Sequence, residues 1–286
     1  MNLNKLVSVY PQYILPQHLL SQWLSRITHA QTPWLKNLFI RQITRWYGVD
    51  LSEAEHPDAE AYASFNAFFT RALNHQARPW PAEQDTILSP ADGVISQIGN
   101  IAQGRIIQAK HHHYTVTELL GGNEQHAKAF DNGLFATIYL SPRDYHRLHM
   151  PVTGRLKEMI HVPGRLFSVN TATTDTVARL FARNERVVCL FETDLGSMAL
   201  VLVGAIFVSS IETVWHGVVT PPTRAKPRVW HYDAGQAPVI ERGQEMGRFN
   251  MGSTIIALFP QSTLKWTQDC RAGHAIKLRQ TLGIPI

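Results

Sequence analysis

Beyond Pro81 the apolar residues of this 286-residue chain fall in short runs rich in Val, Ile and Phe, separated by Gly, Pro and Asn. The runs at 93–96, 134–140, 186–192, 198–211 and 254–259 are short and bounded by turn residues, which predicts a largely antiparallel β core. One helix is expected to interrupt it near residues 174–183. Upstream of Pro81 the period changes. Leu19, Leu20, Trp23, Leu24 and Ile27 recur at helical spacing, as do Trp34, Leu35, Leu38, Phe39 and Ile43, with Gly48 as a stop. A third helix starts at Ser64, a capping residue, and carries Phe65, Phe68, Phe69 and Leu73. The expected fold class is α+β: amphipathic N-terminal helices over residues 1–80, then a β-rich domain over 81–286.

Charge separates the same two parts. Residues 1–49 hold Lys5, Arg26, Lys36, Arg41 and Arg45 and no Asp or Glu. Removing these five from 27 Lys and Arg leaves 22, equal to the 22 Asp and Glu, so the remainder is neutral. Helices aromatic on one side and basic on the other suit an anionic membrane surface, although the same apolar faces also serve to pack on a core. The missing acids favour the membrane. No apolar run reaches the roughly 18–20 residues that span a bilayer, and Pro11, Gln12, Pro16, Gln17 and His18 break up any secretory signal. The segment is expected to lie on a membrane and not to cross it. Cys189 and Cys270 show no metal-type spacing and make no disulfide scaffold, which favours a reducing, cytoplasmic setting.

Chemically, the sharpest feature is Phe249-Asn250-Met251-Gly252-Ser253-Thr254. A serine hydroxyl attacks the carbonyl of the preceding residue and turns the amide into an ester when a base takes its proton. Glycine in that preceding position lets the backbone bend so that the oxygen reaches the carbon. The same residues also serve simply as a turn entering a strand. Candidates for base and orienting acid lie in two further turns, each next to a predicted strand. His146 and His149 belong to Ser141-Pro142-Arg143-Asp144-Tyr145-His146-Arg147-Leu148-His149, and Asp92 belongs to Ser89-Pro90-Ala91-Asp92-Gly93. His111, His112 and His113 are adjacent in a polar loop, a pattern that solvation explains without a metal. Arg147 and Arg165 have the chemistry to meet a phosphate or carboxylate.

Together these segments resemble the phosphatidylserine decarboxylase proenzymes, a pyruvoyl-dependent family, along most of the chain. The resemblance rests on Ser64-Phe65-Asn66-Ala67-Phe68-Phe69-Thr70-Arg71, Ser89-Pro90-Ala91-Asp92-Gly93 and Tyr139-Leu140-Ser141-Pro142-Arg143-Asp144-Tyr145-His146-Arg147-Leu148-His149. It continues in the same order through Pro163-Gly164-Arg165-Leu166-Phe167-Ser168-Val169-Asn170, Asn184-Glu185-Arg186-Val187 and Gly243-Gln244-Glu245-Met246-Gly247-Arg248-Phe249-Asn250-Met251-Gly252-Ser253-Thr254. Met251 stands where the family commonly has Leu or Phe.

The resemblance implies a lyase of bacterial phospholipid biosynthesis that converts phosphatidylserine to phosphatidylethanolamine and CO2. It implies that the precursor cuts itself between Gly252 and Ser253, and that the dehydroalanine left at 253 is hydrolysed by water, with loss of ammonia, to a covalent pyruvoyl group, the pyruvate cofactor. That ketone would condense with the substrate amine to a Schiff base and take up the electrons freed with CO2. Asp92, His149 and Ser253 match the self-cleavage triad, with His149 as base and Asp92 holding its imidazole; His146 matches the histidine beside the pyruvoyl group. Phe167, Ser168 and Val169 match a segment near the substrate, and no metal is implied. The expected partners are phosphatidylserine, chain 1–252 with chain 253–286, a second copy in a homodimer, and an anionic membrane surface met by the N-terminal helices, with no nucleic acid. The expected place is the periphery of the inner membrane, on its cytoplasmic side.

Two other readings stay open on the residues alone. One is a zinc hydrolase with His146, His149, His161 and Asp92 as ligands, which leaves Ser253 without a role. The other is a lipid-anchored binding module, since Pro90-Ala91-Asp92-Gly93-Val94 is also similar to the turns of lipoyl- and biotinyl-type β domains; it lacks an evident carrier lysine.

Overall fold

Helices come first in the chain, and one of them, Gln17–Thr28, is built inside out. The computed structural model describes residues 9–109, 111–206, 210–220, 226–233 and 235–286; Lys5 and positions 207–209 of the predicted 198–211 run lie outside the described residues. Helices span Pro11–Ile14, Gln17–Thr28 and Pro33–Tyr47, the last closed by Gly48, whose left-handed backbone (φ 65°) returns its N–H to the Thr44 carbonyl. Helix Gln17–Thr28 buries Gln17, Ser21 and Thr28, while Leu19 and Trp23 stand 67% and 65% exposed. Its polar side meets the protein and its apolar side faces outward. Helix Pro33–Tyr47 buries Ile40 and also Lys36, which the sequence pattern sets apart from the apolar face. The Lys36 ammonium is satisfied there by the Glu60 carbonyl at 2.8 Å.

Ser64 caps its helix as expected, accepting from the Ala67 N–H at 3.1 Å, but the helix covers only Phe65–Phe69. Leu73 pairs instead with Ala54 in an isolated antiparallel bridge, a tertiary contact that overrides the helical pattern. Phe65, Phe68 and Phe69 pack with Ile40, Val49 and Tyr62 into a hydrophobic cluster that Met251 also touches. The helical segment is thereby tied to the chain just before Ser253.

The β core is a nine-stranded antiparallel sheet. Thr254–Phe259 lies in its middle, between Leu134–Tyr139 and Gly196–Val203, and is buried at every position. Alternation sends Ile255, Ala257 and Phe259 into one hydrophobic core and Ile256 and Leu258 into another. Residues after 259 return to the sheet at Ala275–Ile276, against Gly93–Asn100, and pair again at Thr281–Pro285, against Ile87–Leu88. A four-stranded sheet stands beside it, ordered Gly217–Val218, Ser210–Thr213, Glu245–Asn250, Arg147–His149.

Two further expectations need correction. The 198–211 run is not one strand: Gly196–Val203 belongs to the large sheet and Ser210–Thr213 to the small one. The break comes at Gly204, where a Cβ would lie 3.1 Å from the Glu185 carbonyl oxygen. The helix expected at 174–183 is two single turns, Thr171–Thr174 and Leu180–Arg183. Buried Gln108 takes the backbone groups between them, donating to the Thr174 and Val177 carbonyls and accepting from the Leu180 N–H, while Arg179 turns left-handed at φ 57°. Truncating the central strand by Leu258→Ala is expected to cost about 2–5 kcal/mol, read as a lowered urea midpoint.

Candidate active site

Residues 245–259 pass from the small sheet into the large one, and the passage is the corner Met251-Gly252-Ser253. Glu245–Asn250 pairs with Ser210–Thr213 and Arg147–His149; Thr254–Phe259 then enters the large sheet. The Ser253 carbonyl accepts from the Leu140 N–H at 2.8 Å, which anchors the corner to the end of the neighbouring strand. The bend falls on Met251, a non-glycine residue at φ 87°, where the sequence reading places it at Gly252. A left-handed backbone with a side chain costs on the order of 1–3 kcal/mol, and the phenylalanine cluster around Met251 is what opposes its relaxation. Glycine at 252 answers a different need, that of space. A Cβ there would lie 3.2 Å from Cε1 of His146 and 3.4 Å from the Leu140 carbonyl oxygen.

His146 is therefore the ring that meets the Gly252–Ser253 corner. The Ser141–Asp144 turn presents it: the Asp144 carboxylate accepts from both the Ser141 N–H and hydroxyl at 2.7 Å. The imidazole stacks on Phe69 with centroids 4.0 Å apart and is fully buried, and neither ring nitrogen has a hydrogen-bond partner. The Ser253 hydroxyl is likewise buried and unpartnered. Burial first, and the Arg71 charge second, push the His146 imidazole down to about 3, while the Ser141 and Pro142 carbonyls, near the ring but outside hydrogen-bonding geometry, pull upward. The ring is neutral at physiological pH.

His149 sits differently. Its Nδ1 meets the Gly243 carbonyl at 2.9 Å and its Nε2 meets the Tyr145 hydroxyl at 3.1 Å. A carbonyl only accepts, so the proton is on Nδ1 and Nε2 accepts from Tyr145. Burial lowers the pKa, and the Gly243 carbonyl pulls the other way. Gly243 has φ 77° and lies under Trp80, where any Cβ would strike the indole.

Asp92 has no hydrogen bond to His149. It takes a bidentate clasp from Arg78, through Nε at 2.9 Å and through Nη2, and accepts from the Leu278 N–H at 2.7 Å. Arg78 also reaches Glu53 at 2.8 Å, and Glu53 reaches Lys277 at 2.7 Å. The two turns nevertheless adjoin, since the His149 N–H donates to the Pro90 carbonyl at 2.9 Å. Arg78, Tyr145 and Gly243 are thus the partners that sequence reasoning did not assign. Tyr145 and Gly243 lie inside stretches quoted for the resemblance, whereas nothing in the pattern marks Arg78.

A cavity of about 860 Å³ opens on Gly252 and Met251. Leu24, Leu38 and Trp46 of the helices line one side and Tyr139, Ser168 and Val169 the other. Phe167 is turned into the core, its ring 4.9 Å from that of Tyr13. The four residues considered for zinc do not converge: His161 bonds Glu185 at 3.0 Å, and among the described residues no three His, Cys, Asp or Glu side chains form a metal-type group. Arg147 is held by Glu245 at 3.0 Å and Arg165 by the Tyr13 carbonyl at 2.7 Å. Of the three adjacent histidines, His112 and His113 lie in a strand paired with Arg105–Ala109. Among the described residues no helix is long and apolar enough to cross a membrane.

Comparison with known proteins gives first a class, the decarboxylases. A family described as Phosphatidylserine decarboxylase matches residues 65–284, and one described as PSD matches residues 7–48. A phosphatidylserine decarboxylase proenzyme of Pseudomonas fluorescens is 53% identical over 283 residues, covering 99% of this chain and 98% of the relative. Those of Alkalilimnicola ehrlichii and Methylococcus capsulatus are 59% and 54% identical, over 86% and 95% of this chain and 85% and 94% of theirs. The chain belongs to the phosphatidylserine decarboxylase family.

The low pKa of His146 has a consequence for stability. The unfolded chain takes up a proton near 6.5, whereas the folded ring stays neutral down to about 3. Stability is therefore full above that upper value and falls as pH drops through the window, where the unfolded state binds the extra proton. His146→Phe is expected to flatten this acid decline in urea titrations run between about pH 7 and about pH 4.

Proposed function

We propose that this protein decarboxylates phosphatidylserine to phosphatidylethanolamine and CO2, with a pyruvoyl group that it makes from its own Ser253. The observation that carries the reading is the corner itself, where a buried hydroxyl and a buried imidazole without partners flank a glycine that follows a left-handed methionine. Leaving such groups unsatisfied costs roughly 1–3 kcal/mol each. Reactive groups are a good reason to bear that cost. Residue 253 fits the group, because its own Cβ, Cα and carbonyl carbon would become the pyruvoyl carbons and His146 and Phe69 stand against the adjoining Gly252. A pyruvoyl group would supply the electron sink for the carbanion left by CO2.

Cleavage is assigned to this chain's own residues. Ser253 Oγ attacks the Gly252 carbonyl carbon, the peptide nitrogen leaves, and an ester joins the two residues. Loss of the Ser253 α-proton then breaks the Oγ–Cβ bond and leaves a carboxylate on Gly252, so chains 1–252 and 253–286 remain together as partners. His149 is assigned as the base: burial keeps it neutral and its Nε2 is the accepting nitrogen. It acts by exchanging the Tyr145 hydroxyl for that of Ser253. Asp92 is assigned a supporting role, fixing the Leu278 backbone and hence the seat of the small chain. His146 is assigned to the reacting centre, as a neutral hydrogen-bonding group that orients the substrate.

The cavity supports a phospholipid substrate, with an apolar lining for acyl chains and Ser168, Val169 and Gly252 at the reacting end. Outward-facing Ile14, Leu19, Trp23, Trp34 and Trp46 support seating of the helices on a membrane, where amphipathic aromatics are favourable. Peripheral attachment on the cytoplasmic side of the inner membrane, the homodimer and the division at residues 1–80 and 81–286 belong to the same reading and are carried from the sequence.

Intact mass on a denaturing gel tests it. The wild type is expected to give two chains split at Gly252–Ser253, the small one blocked at its N-terminus. Ser253→Ala is expected to give a single inactive chain, and Asp92→Asn to slow processing; a fully active uncut wild type would remove the proposal.

A further inference from the structure

We infer that Gln12 and Gln17 are positioning residues for phospholipid binding, acting by holding segment 165–170 through its backbone. This makes the N-terminal helices part of the substrate site as well as its approach to a membrane. The inference rests on the reading of the cavity as the phospholipid site.

Around Leu166 to Ser168 the backbone groups are bonded not by a neighbouring strand but by side chains. The Leu166 N–H donates to Gln17 Oε1 at 2.8 Å and the Ser168 N–H to Gln12 Oε1 at 2.8 Å. Phe167, between them, is bonded elsewhere: its N–H donates to Asn184 Oδ1 at 3.1 Å and its carbonyl accepts from Asn184 Nδ2 at 2.8 Å. Alternate residues bonding to different partners is the pattern of a strand inside a sheet. Here three carboxamides stand in for the missing neighbours.

The glutamines are themselves fixed. Both are buried, at 7% and 3% exposure. Gln17 Nε2 donates to the Gln12 carbonyl at 2.7 Å, and Gln12 Nε2 to the Thr173 hydroxyl at 3.4 Å. His18 Nε2 lies 2.9 Å from the Gly164 carbonyl, and Arg165 donates to the Tyr13 carbonyl at 2.7 Å. A segment serving only as a membrane anchor has no use for buried amides aimed at another part of the chain, since burying them is unfavourable unless they are bonded. What they hold is Ser168 and Val169, which line the cavity together with Gln12. The opposite side of the same short stretch of chain presents Ile14, Leu19 and Trp23 outward.

The test uses the full chain and vesicles of phosphatidylserine with phosphatidylcholine. Gln17→Met keeps the volume but removes both hydrogen-bonding atoms. Amide exchange at Leu166, whose acceptor the substitution removes, is expected to accelerate at least about tenfold. KM for phosphatidylserine is expected to rise about tenfold with kcat changed less than about twofold. Vesicle sedimentation should be unaltered. Trp23→Ser should do the reverse, losing vesicles while keeping the two amides protected. Gln17→Asn, too short to reach, carries the same expectation should methionine disturb folding. Unchanged exchange at Leu166 overturns the inference, as does a KM that rises only in step with lost vesicle binding. Exchange needs no turnover, so it decides the clamp even if the wild type releases no CO2, an outcome that counts against the proposed function instead.

Discussion

The Met251-Gly252-Ser253 corner is placed by the strand that follows it. Thr254–Phe259 is buried on both faces at the middle of the nine-stranded sheet, so its register with Leu134–Tyr139 and Gly196–Val203 cannot slip without moving every one of its side chains to the wrong core. The preceding residues belong to a different sheet, and the chain has only Met251, Gly252 and Ser253 in which to make the crossing. The left-handed Met251 and the crowded Gly252 follow from that short connection. A corner that must turn so sharply against fixed strands holds its backbone away from its relaxed form, and that is where a serine oxygen and a carbonyl carbon can be kept close.

The two histidines show how little spacing says about chemistry. They are three residues apart, yet His146 lies in the turn after Leu134–Tyr139 and His149 in the strand Arg147–His149. One ring is walled by Phe69 and Gly252 and bonded to nothing; the other is bonded at both nitrogens. Burial keeps both neutral, but only His149 has its tautomer dictated by a neighbour.

Much of this was legible in the sequence. The helical period of the first segments, the short β-branched runs of the later ones, the stop at Gly48 and the Ser64 cap follow local rules and are found in the structure. What escaped were tertiary substitutions for local structure: Gln108 splitting a helix into two turns, Leu73 leaving a helix for a bridge, Arg78 taking the carboxylate of Asp92. In each a single side chain or pairing partner, distant in sequence, satisfies groups that the local pattern assigns elsewhere. No window of neighbouring residues holds that information. The helix periodicity was visible too, but not its direction, because an amphipathic helix reads the same whichever side faces the protein.

The direction has a consequence for handling the protein. Trp23, Trp34, Trp46, Leu19 and Ile14 all stand more than half exposed, while the glutamines, serine and threonine beneath them are hidden. In plain buffer such a surface is a colloidal hazard: it will gather other copies, detergent or container walls as readily as lipid. Washing in salt will not clear it, since screening weakens charge and leaves the hydrophobic attraction standing.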